Sequence, residues 1–195
     1  MKQNRKYTPG GLLVALGVVL LLAGGILMLL WQYHIHTSRQ QAQVYVQTLR
    51  SVMPEPRSAV PESRRDNTMA ALALDGADFV GILEMPAHDL SLPVGARWGN
   101  PASYPRCFSG SVYDGSLRIG ATSQAGQYDF YRDISVGDAV FFTDLAGNRY
   151  SYAVTDIRYE AHADEAALSR KEADLTLFIK NIYALEYILV FCNAL

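Results

Sequence analysis

An uncharged apolar stretch near the N-terminus constrains the fold of this chain more than any other sequence feature. From Gly10 to Trp31 no residue is charged, and Leu, Val, Ala and Gly dominate. As a helix, this stretch would span about 33 Å, enough to cross a bilayer hydrocarbon core of about 30 Å. It therefore predicts a transmembrane anchor over residues 10–31.

The charges around this stretch predict its orientation. Three basic residues precede it: Lys2, Arg5 and Lys6. The nearest positive charge after it is Arg39. The positive-inside bias then makes residues 1–9 a cytoplasmic tail and places the rest of the chain outside. The alternative is a cleavable signal peptide, but its apolar region is usually shorter, and no clear small-residue cleavage site follows this one. Both interpretations export the remaining chain.

Residues 32–67 are predicted to join the anchor to a separate domain. Residues 37–53 have a modest helical stripe of Val44, Leu49 and Val52, which indicates a short juxtamembrane helix. Residues 54–67 are rich in Pro, Ser and charge, which is typical of a semi-extended linker that lifts the next domain off the membrane.

Residues 68–195 have the pattern of an all-β extracellular domain. Short β-rich runs alternate with turn signals, which is typical of a barrel or sandwich. The runs cover residues 79–85, 90–94, 117–121, 139–144, 151–158, 175–179 and 186–191. Residues 145–148, Leu-Ala-Gly-Asn, predict a hairpin turn. Residues 161–173 are polar and predict a loop with at most a helical turn.

Charge and metal-ligand spacing exclude some functions. The net charge of −2 provides no basic surface for nucleic acid. Cys107 and Cys192 lie in no CxxC or Cys/His cluster and the histidines have no ligand spacing, so no metal or cofactor is predicted. The cysteines could form a disulfide outside the cell or remain free thiols, and both alternatives stay open. His88 reads as a surface turn residue.

Three sequence blocks together resemble one family. They are FVGILEMPAHDLSLPV (79–94), ISVGDAVFFTDLAGNRYSYAVTDI (135–158) and DLTLFIKN (174–181). Their order and spacing resemble sortases, the membrane-anchored cysteine transpeptidases of Gram-positive cell surfaces. The resemblance implies a closed β-barrel of about eight strands with short helices, preceded by one transmembrane helix. It also implies a groove for a sorting signal of the Leu-Pro-x-Thr-Gly type.

The resemblance further implies three catalytic roles, and this chain lacks all three residues. In the family, a cysteine thiolate attacks the substrate carbonyl, a histidine transfers protons and an arginine stabilises the oxyanion. Lys180 stands where the cysteine would end the strand. Thr122 stands at the histidine position, and Tyr187 or, with a shorter turn, Glu186 stands at the arginine position.

Four functional interpretations follow from this pattern. The first is a sortase fold without transpeptidase activity, because a protonated lysine cannot replace a thiolate. The second is an active sortase with a displaced nucleophile, Cys107 or Cys192, although neither has a nearby base in sequence. The third is a new hydroxyl–lysine dyad of Thr122 and Lys180. The fourth is an interaction module whose partner is a sorting-signal peptide, a surface protein, a pilin or an active sortase.

Overall fold

The N-terminal part of the chain forms a single long helix. The computed structural model describes residues 9–62, 66–99, 103–123, 128–161, 172–181, 184 and 186–195. The cytoplasmic tail predicted for residues 1–9 therefore lies almost entirely outside the described residues, as does most of the loop predicted for 161–173. Helix α1 runs from Pro9 to Val52 and is long and apolar enough to cross a membrane. The chain divides into two compact units, residues 1–37 and 38–195.

The second unit is built from β-strands, because short runs of apolar and β-branched residues alternate with turns throughout it. Among the described residues of this unit, two short 3₁₀ helices, Pro86–His88 and Asp129–Arg132, interrupt the strands. The strands are β1 Arg57–Ala59, β2 Leu72–Leu74, β3 Ala77–Met85, β4 Leu90–Gly95, β5 Arg106–Ser109, β6 Leu117–Thr122, β7 Ala139–Asp144, β8 Asn148–Glu160, β9 Leu175–Asn181 and β10 Glu186–Ala194.

Eight of these strands close into a barrel. Going round it, the order is β8, β10, β9, β6, β5, β4, β3 and β7, and β7 pairs again with β8. The two remaining strands lie outside this ring: β1 pairs in parallel with β8, and β2 forms a hairpin with β3. The predicted closed barrel of about eight strands is confirmed. The ring is narrowest in its pairing between β4 and β5, which meet only at Gly95 and Arg106.

Alternation along the strands separates a dry interior from an outer face. On β9, Leu175, Leu177 and Ile179 are fully buried in the main core. The residues between them point outwards, because successive side chains of a strand face opposite sides of the sheet. Truncation of a core residue such as Leu177 to Ala would cost about 2–5 kcal/mol, since it removes buried area and leaves a cavity.

The predicted hairpin turn is confirmed between β7 and β8, and a buried carboxylate holds it. Gly147 has a φ of +77°, which a residue without a Cβ adopts at little cost. Asp144 accepts hydrogen bonds of 2.9 Å from the amides of Ala146 and Asn148 and from the Asn148 side chain. The Tyr113 hydroxyl lies 3.4 Å from the same carboxylate. This network satisfies the buried charge and ties the turn to the barrel.

The segment predicted as a juxtamembrane helix packs against the barrel. Ala42, Tyr45, Val46 and Leu49 are buried, a spacing of three or four residues that forms one face of a helix. The predicted stripe was therefore wrong in part: Leu49 is buried, but Val44 and Val52 are exposed. The buried face meets the barrel through tilted aromatic contacts, with the rings of Tyr45 and Phe79 4.9 Å apart.

The linker segment is also attached to the barrel. Arg57, Ser58 and Ala59 pair in register with β8. The end of α1 is held by Glu84, which lies 2.6 Å from Arg50 and 2.8 Å from Arg149. Because Arg50 is more than half exposed, its ion pair contributes at most about 1 kcal/mol. Residues 54–62 thus differ from a free spacer because part of them forms a strand.

Candidate functional site

Strands β6, β9 and β10 bring three of the sequence-predicted site residues into one row. Thr122 on β6 lies opposite Lys180 on β9, and Lys180 lies opposite Tyr187 on β10. Directly opposed residues share a face of the sheet, with Cβ atoms about 5 Å apart. The register pairs the other predicted residue, Glu186, with Asn181 instead, and the Asn181 amide lies 3.3 Å from the Glu186 carboxylate.

The row, as we call Thr122, Lys180 and Tyr187, lies on the outer face of the barrel. Lys180 is exposed, whereas its strand neighbours Ile179 and Asn181 are buried. Thr122 and Tyr187 are half-buried. The row therefore presents an ammonium between two hydroxyl groups, all of them hydrogen-bond donors. Its side chains include no thiol, imidazole or guanidinium.

The two cysteines lie on the other side of the barrel wall. Both are free and buried, and both belong to the main core with Ile179. Burial raises the pKa of the Cys107 thiol to about 11 and that of the Cys192 thiol to about 12. At neutral pH the thiolate fraction of either is then at most about one in ten thousand. Neither thiol shares the face of Lys180.

Cys192 is also distant from the row along the strands. It pairs with Leu175 at one end of β9, whereas Lys180 lies near the other end. At about 3.4 Å per residue, the backbone separation is about 17 Å. A nucleophile at Cys192 could not reach a substrate bound at Lys180.

An aromatic platform, consisting of Trp98, Phe108 and Phe178, adjoins the row on the same outer face. The rings of Trp98 and Phe108 both lie 5.2 Å from that of Phe178. Phe178 is fully buried, while Trp98 remains 48% exposed. The ring of Phe178 covers Gly120, where a Cβ would lie 2.0 Å from its Cζ atom. Only a glycine on β6 allows the ring to lie this close to the strand.

Sequence reasoning missed this platform. Trp98 lies in a loop, Phe108 on β5 and Phe178 on β9, and successive members lie at least ten positions apart in the sequence, so no local periodicity connects them. The one available signal was Gly120 within the run of β6, because a glycine inside a strand often marks the close approach of another group.

A second cluster that sequence reasoning missed surrounds His88. The prediction of a surface turn residue was wrong, since its side chain is only 10% exposed and its Nε2 lies 2.9 Å from Asp138 Oδ2. The same oxygen accepts a 2.9 Å hydrogen bond from the Ser135 amide. Burial alone would raise the pKa of Asp138, but the bonds from Ser135 and His88 outweigh it and lower that pKa. This pair joins the loop after β3 to the start of β7.

Within the part of the chain that the structure describes, no group of His, Cys, Asp and Glu side chains is arranged to hold a metal ion.

Comparison with known proteins identifies the fold. No family model and no curated protein matches the sequence. Among solved structures, sortase C1 from Streptococcus agalactiae superposes with a TM-score of 0.53 at 19% identity, covering 63% of this chain and 70% of its own. Sortase A from Corynebacterium diphtheriae gives 0.52 at 16% identity, covering 83% and 84%. Sortase C from Clostridium perfringens SM101 gives 0.50 at 19% identity, covering 60% and 70%. The barrel therefore has the sortase fold.

Proposed function

We propose that this protein is a catalytically inactive sortase-like protein of the cell surface, which binds a peptide on its outer barrel face without cleaving it. The observation that carries the proposal is the shared row of Thr122, Lys180 and Tyr187. Where the family resemblance requires imidazole, thiol and guanidinium, this row offers hydroxyl, ammonium and phenol. An ammonium is no nucleophile, and a phenol supplies no fixed positive charge to an oxyanion.

In this proposal, residues 1–9 are cytoplasmic, 10–31 cross the membrane, and residues 68–195 form an extracellular domain. The long apolar helix and the basic residues before it support this arrangement. The sortase fold supports it as well, because sortases act at cell surfaces. The partner is a sorting-signal peptide, a surface protein, a pilin or an active sortase, and the protein serves as an accessory in surface-protein or pilus assembly.

Two enzymatic alternatives have weaker support. A displaced thiol is disfavoured because Cys107 and Cys192 are buried on the inner face with raised pKa values. A dyad of Thr122 and Lys180 has the required adjacency, but a lysine base needs a desolvated setting, and Lys180 is exposed.

The test uses the full chain in detergent micelles. A fluorescent sorting-signal peptide is incubated with the protein and an amine acceptor, cleavage is followed by mass spectrometry, and binding is followed by fluorescence anisotropy. We expect saturable binding and an intact peptide.

Cleavage of the peptide would contradict the proposal, and variants would then identify the residue responsible for it. Loss of turnover in Cys107→Ala or Cys192→Ala would establish a displaced nucleophile, whereas loss in Lys180→Ala would establish the dyad. Absence of both cleavage and binding would refute the peptide-binding role itself.

A further inference from the structure

We infer that the outer face binds an extended peptide ending in a free carboxylate, with the carboxylate at Lys180 and an apolar side chain on the aromatic platform. This inference rests on the proposed peptide-binding function and specifies the chemistry of the ligand. It follows from the charge of the row, the exposed surface of the platform and their position on one face of the barrel.

The row favours an anionic oxygen ligand. The Lys180 side chain has no ion pair or hydrogen bond among the described residues, and its ammonium is exposed between two hydroxyl-bearing side chains. A carboxylate could accept hydrogen bonds from the ammonium, and charge-assisted bonds of this kind are stronger than neutral ones.

The neighbouring charges define where the anion lies. Glu160 on β8 follows Tyr187 in the same row and disfavours an anion on that side. Arg158 on β8 is bonded to Asp156 at 2.8 Å and to Glu172 at 2.5 Å, so it offers little net charge to a ligand. The carboxylate is therefore expected between Lys180 and Thr122, away from Glu160.

The platform supplies the apolar subsite. Trp98 is about half exposed and is held by ring contacts with Phe108 and Phe178, so it presents a fixed aromatic surface to solvent. Trp98 packs on Phe178, which lies two residues before Lys180 on the same face of β9, so the exposed indole and the ammonium belong to one surface. The matching ligand has an apolar residue close to its terminal carboxylate.

A peptide fits this surface better than an anionic polymer. A polyanion needs several cations along its path, whereas the row of Thr122, Lys180, Tyr187 and Glu160 contains one cation and one anion. The exposed aromatic surface of the platform would contribute nothing to a chain of phosphates. The observations therefore favour a ligand with one charge and one apolar group.

The test compares matched peptides on the full chain in micelles. One peptide ends in Phe-Ala with a free carboxylate, a second is its C-terminal amide, and a third has Gly in place of Phe. Binding is measured by fluorescence anisotropy of an N-terminal dye. We expect the acid to bind about threefold to fivefold more tightly than the amide, and the difference to shrink at high salt because the ion pair is exposed.

Variants separate the two subsites. Lys180→Gln should abolish the acid–amide difference, while Lys180→Arg should preserve most of it. Trp98→Ala should weaken acid and amide alike by about tenfold and remove the preference for Phe over Gly. Tyr159→Ala, which removes an exposed aromatic side chain elsewhere on β8, is the matched control and should change neither.

The outcomes distinguish this inference from the function on which it rests. Equal binding of acid and amide, with saturable binding of the sorting-signal peptide, would overturn the carboxylate site and leave the peptide-binding role intact. Failure of every peptide to bind would overturn both. Tighter binding of inorganic polyphosphate than of the acid peptide, unaffected by Trp98→Ala, would overturn the inference in favour of an anionic polymer.

Discussion

The close contact between Gly120 and Phe178 predicts that the effect of Gly120→Ala on the free energy of unfolding depends on the residue at position 178. In a strand, glycine is destabilising relative to alanine by about 0.5–1 kcal/mol, because it loses more backbone entropy on folding. At Gly120, however, a Cβ would meet three ring atoms of Phe178 at 2.0, 2.2 and 2.6 Å. Overpacking of this kind costs about 1–3 kcal/mol. Gly120→Ala should therefore destabilise the barrel by about 1–2 kcal/mol.

Removal of the ring should reverse this effect. In Phe178→Leu the clashing ring atoms are absent, so in that background Gly120→Ala should be neutral or stabilising by up to about 1 kcal/mol. The corresponding coupling energy of the double-mutant cycle is about 1–3 kcal/mol. Urea unfolding of the full chain in micelles, followed by far-ultraviolet circular dichroism, measures all four free energies of unfolding.

Fluorescence provides an independent test of the same contact. The chain has two tryptophans, so a Trp31→Phe background leaves Trp98 as the reporter of the platform. Gly120→Ala should shift the Trp98 emission, because the Phe178 ring must move against Trp98. In a Phe178→Leu background, Gly120→Ala should leave the emission unchanged. Additive free energies, or an unchanged emission in Gly120→Ala, would refute the packing argument.

Three further predictions concern other parts of the barrel. Asp144→Ala should lower the free energy of unfolding by about 3–5 kcal/mol, because it leaves several buried donors without an acceptor. Asp156→Ala, at an exposed site, should lower it by less than about 1 kcal/mol, and thermal unfolding distinguishes the two variants. The lowered pKa of Asp138 contributes stability that is present above its ordinary pKa of 3.8 and is lost as pH falls through the folded-state pKa. Asp138→Asn should therefore lose less stability than the native protein when the pH is lowered below about 4, as measured by unfolding at each pH. The two native thiols should react with a disulfide reagent only slowly until the protein unfolds, whereas a Lys180→Cys thiol should react at once; rapid native reaction would contradict their burial.

Local sequence patterns were sufficient to predict most of the barrel. Runs such as residues 139–144 matched their strands closely because alternation and β-branched residues report a half-buried strand directly. The short strands β1, β2 and β5 escaped prediction because each has only three or four residues, too few to show a period. Their strand conformation depends on pairing partners elsewhere in the chain.

The strand positions of Thr122, Lys180 and Tyr187 could be predicted from the sequence, but their surroundings could not. Thr122, Lys180 and Tyr187 converge because the pairing register of β6, β9 and β10 places these three positions opposite one another. The choice between Tyr187 and Glu186 needed that register, since the length of the intervening turn was not fixed by sequence. The platform and the His88–Asp138 pair join distant segments, and only tertiary structure brings such residues together.

The outward orientation of the row affects how the sequence of such a protein can evolve. Lys180 points away from the core, and substitutions at exposed positions usually alter stability by less than about 0.5 kcal/mol. The barrel would therefore fold with nearly any residue there, whether thiol, amine or carboxamide. Selection for folding leaves this position almost unconstrained, so chemistry can be lost and a new ligand preference acquired without passing through an unstable intermediate.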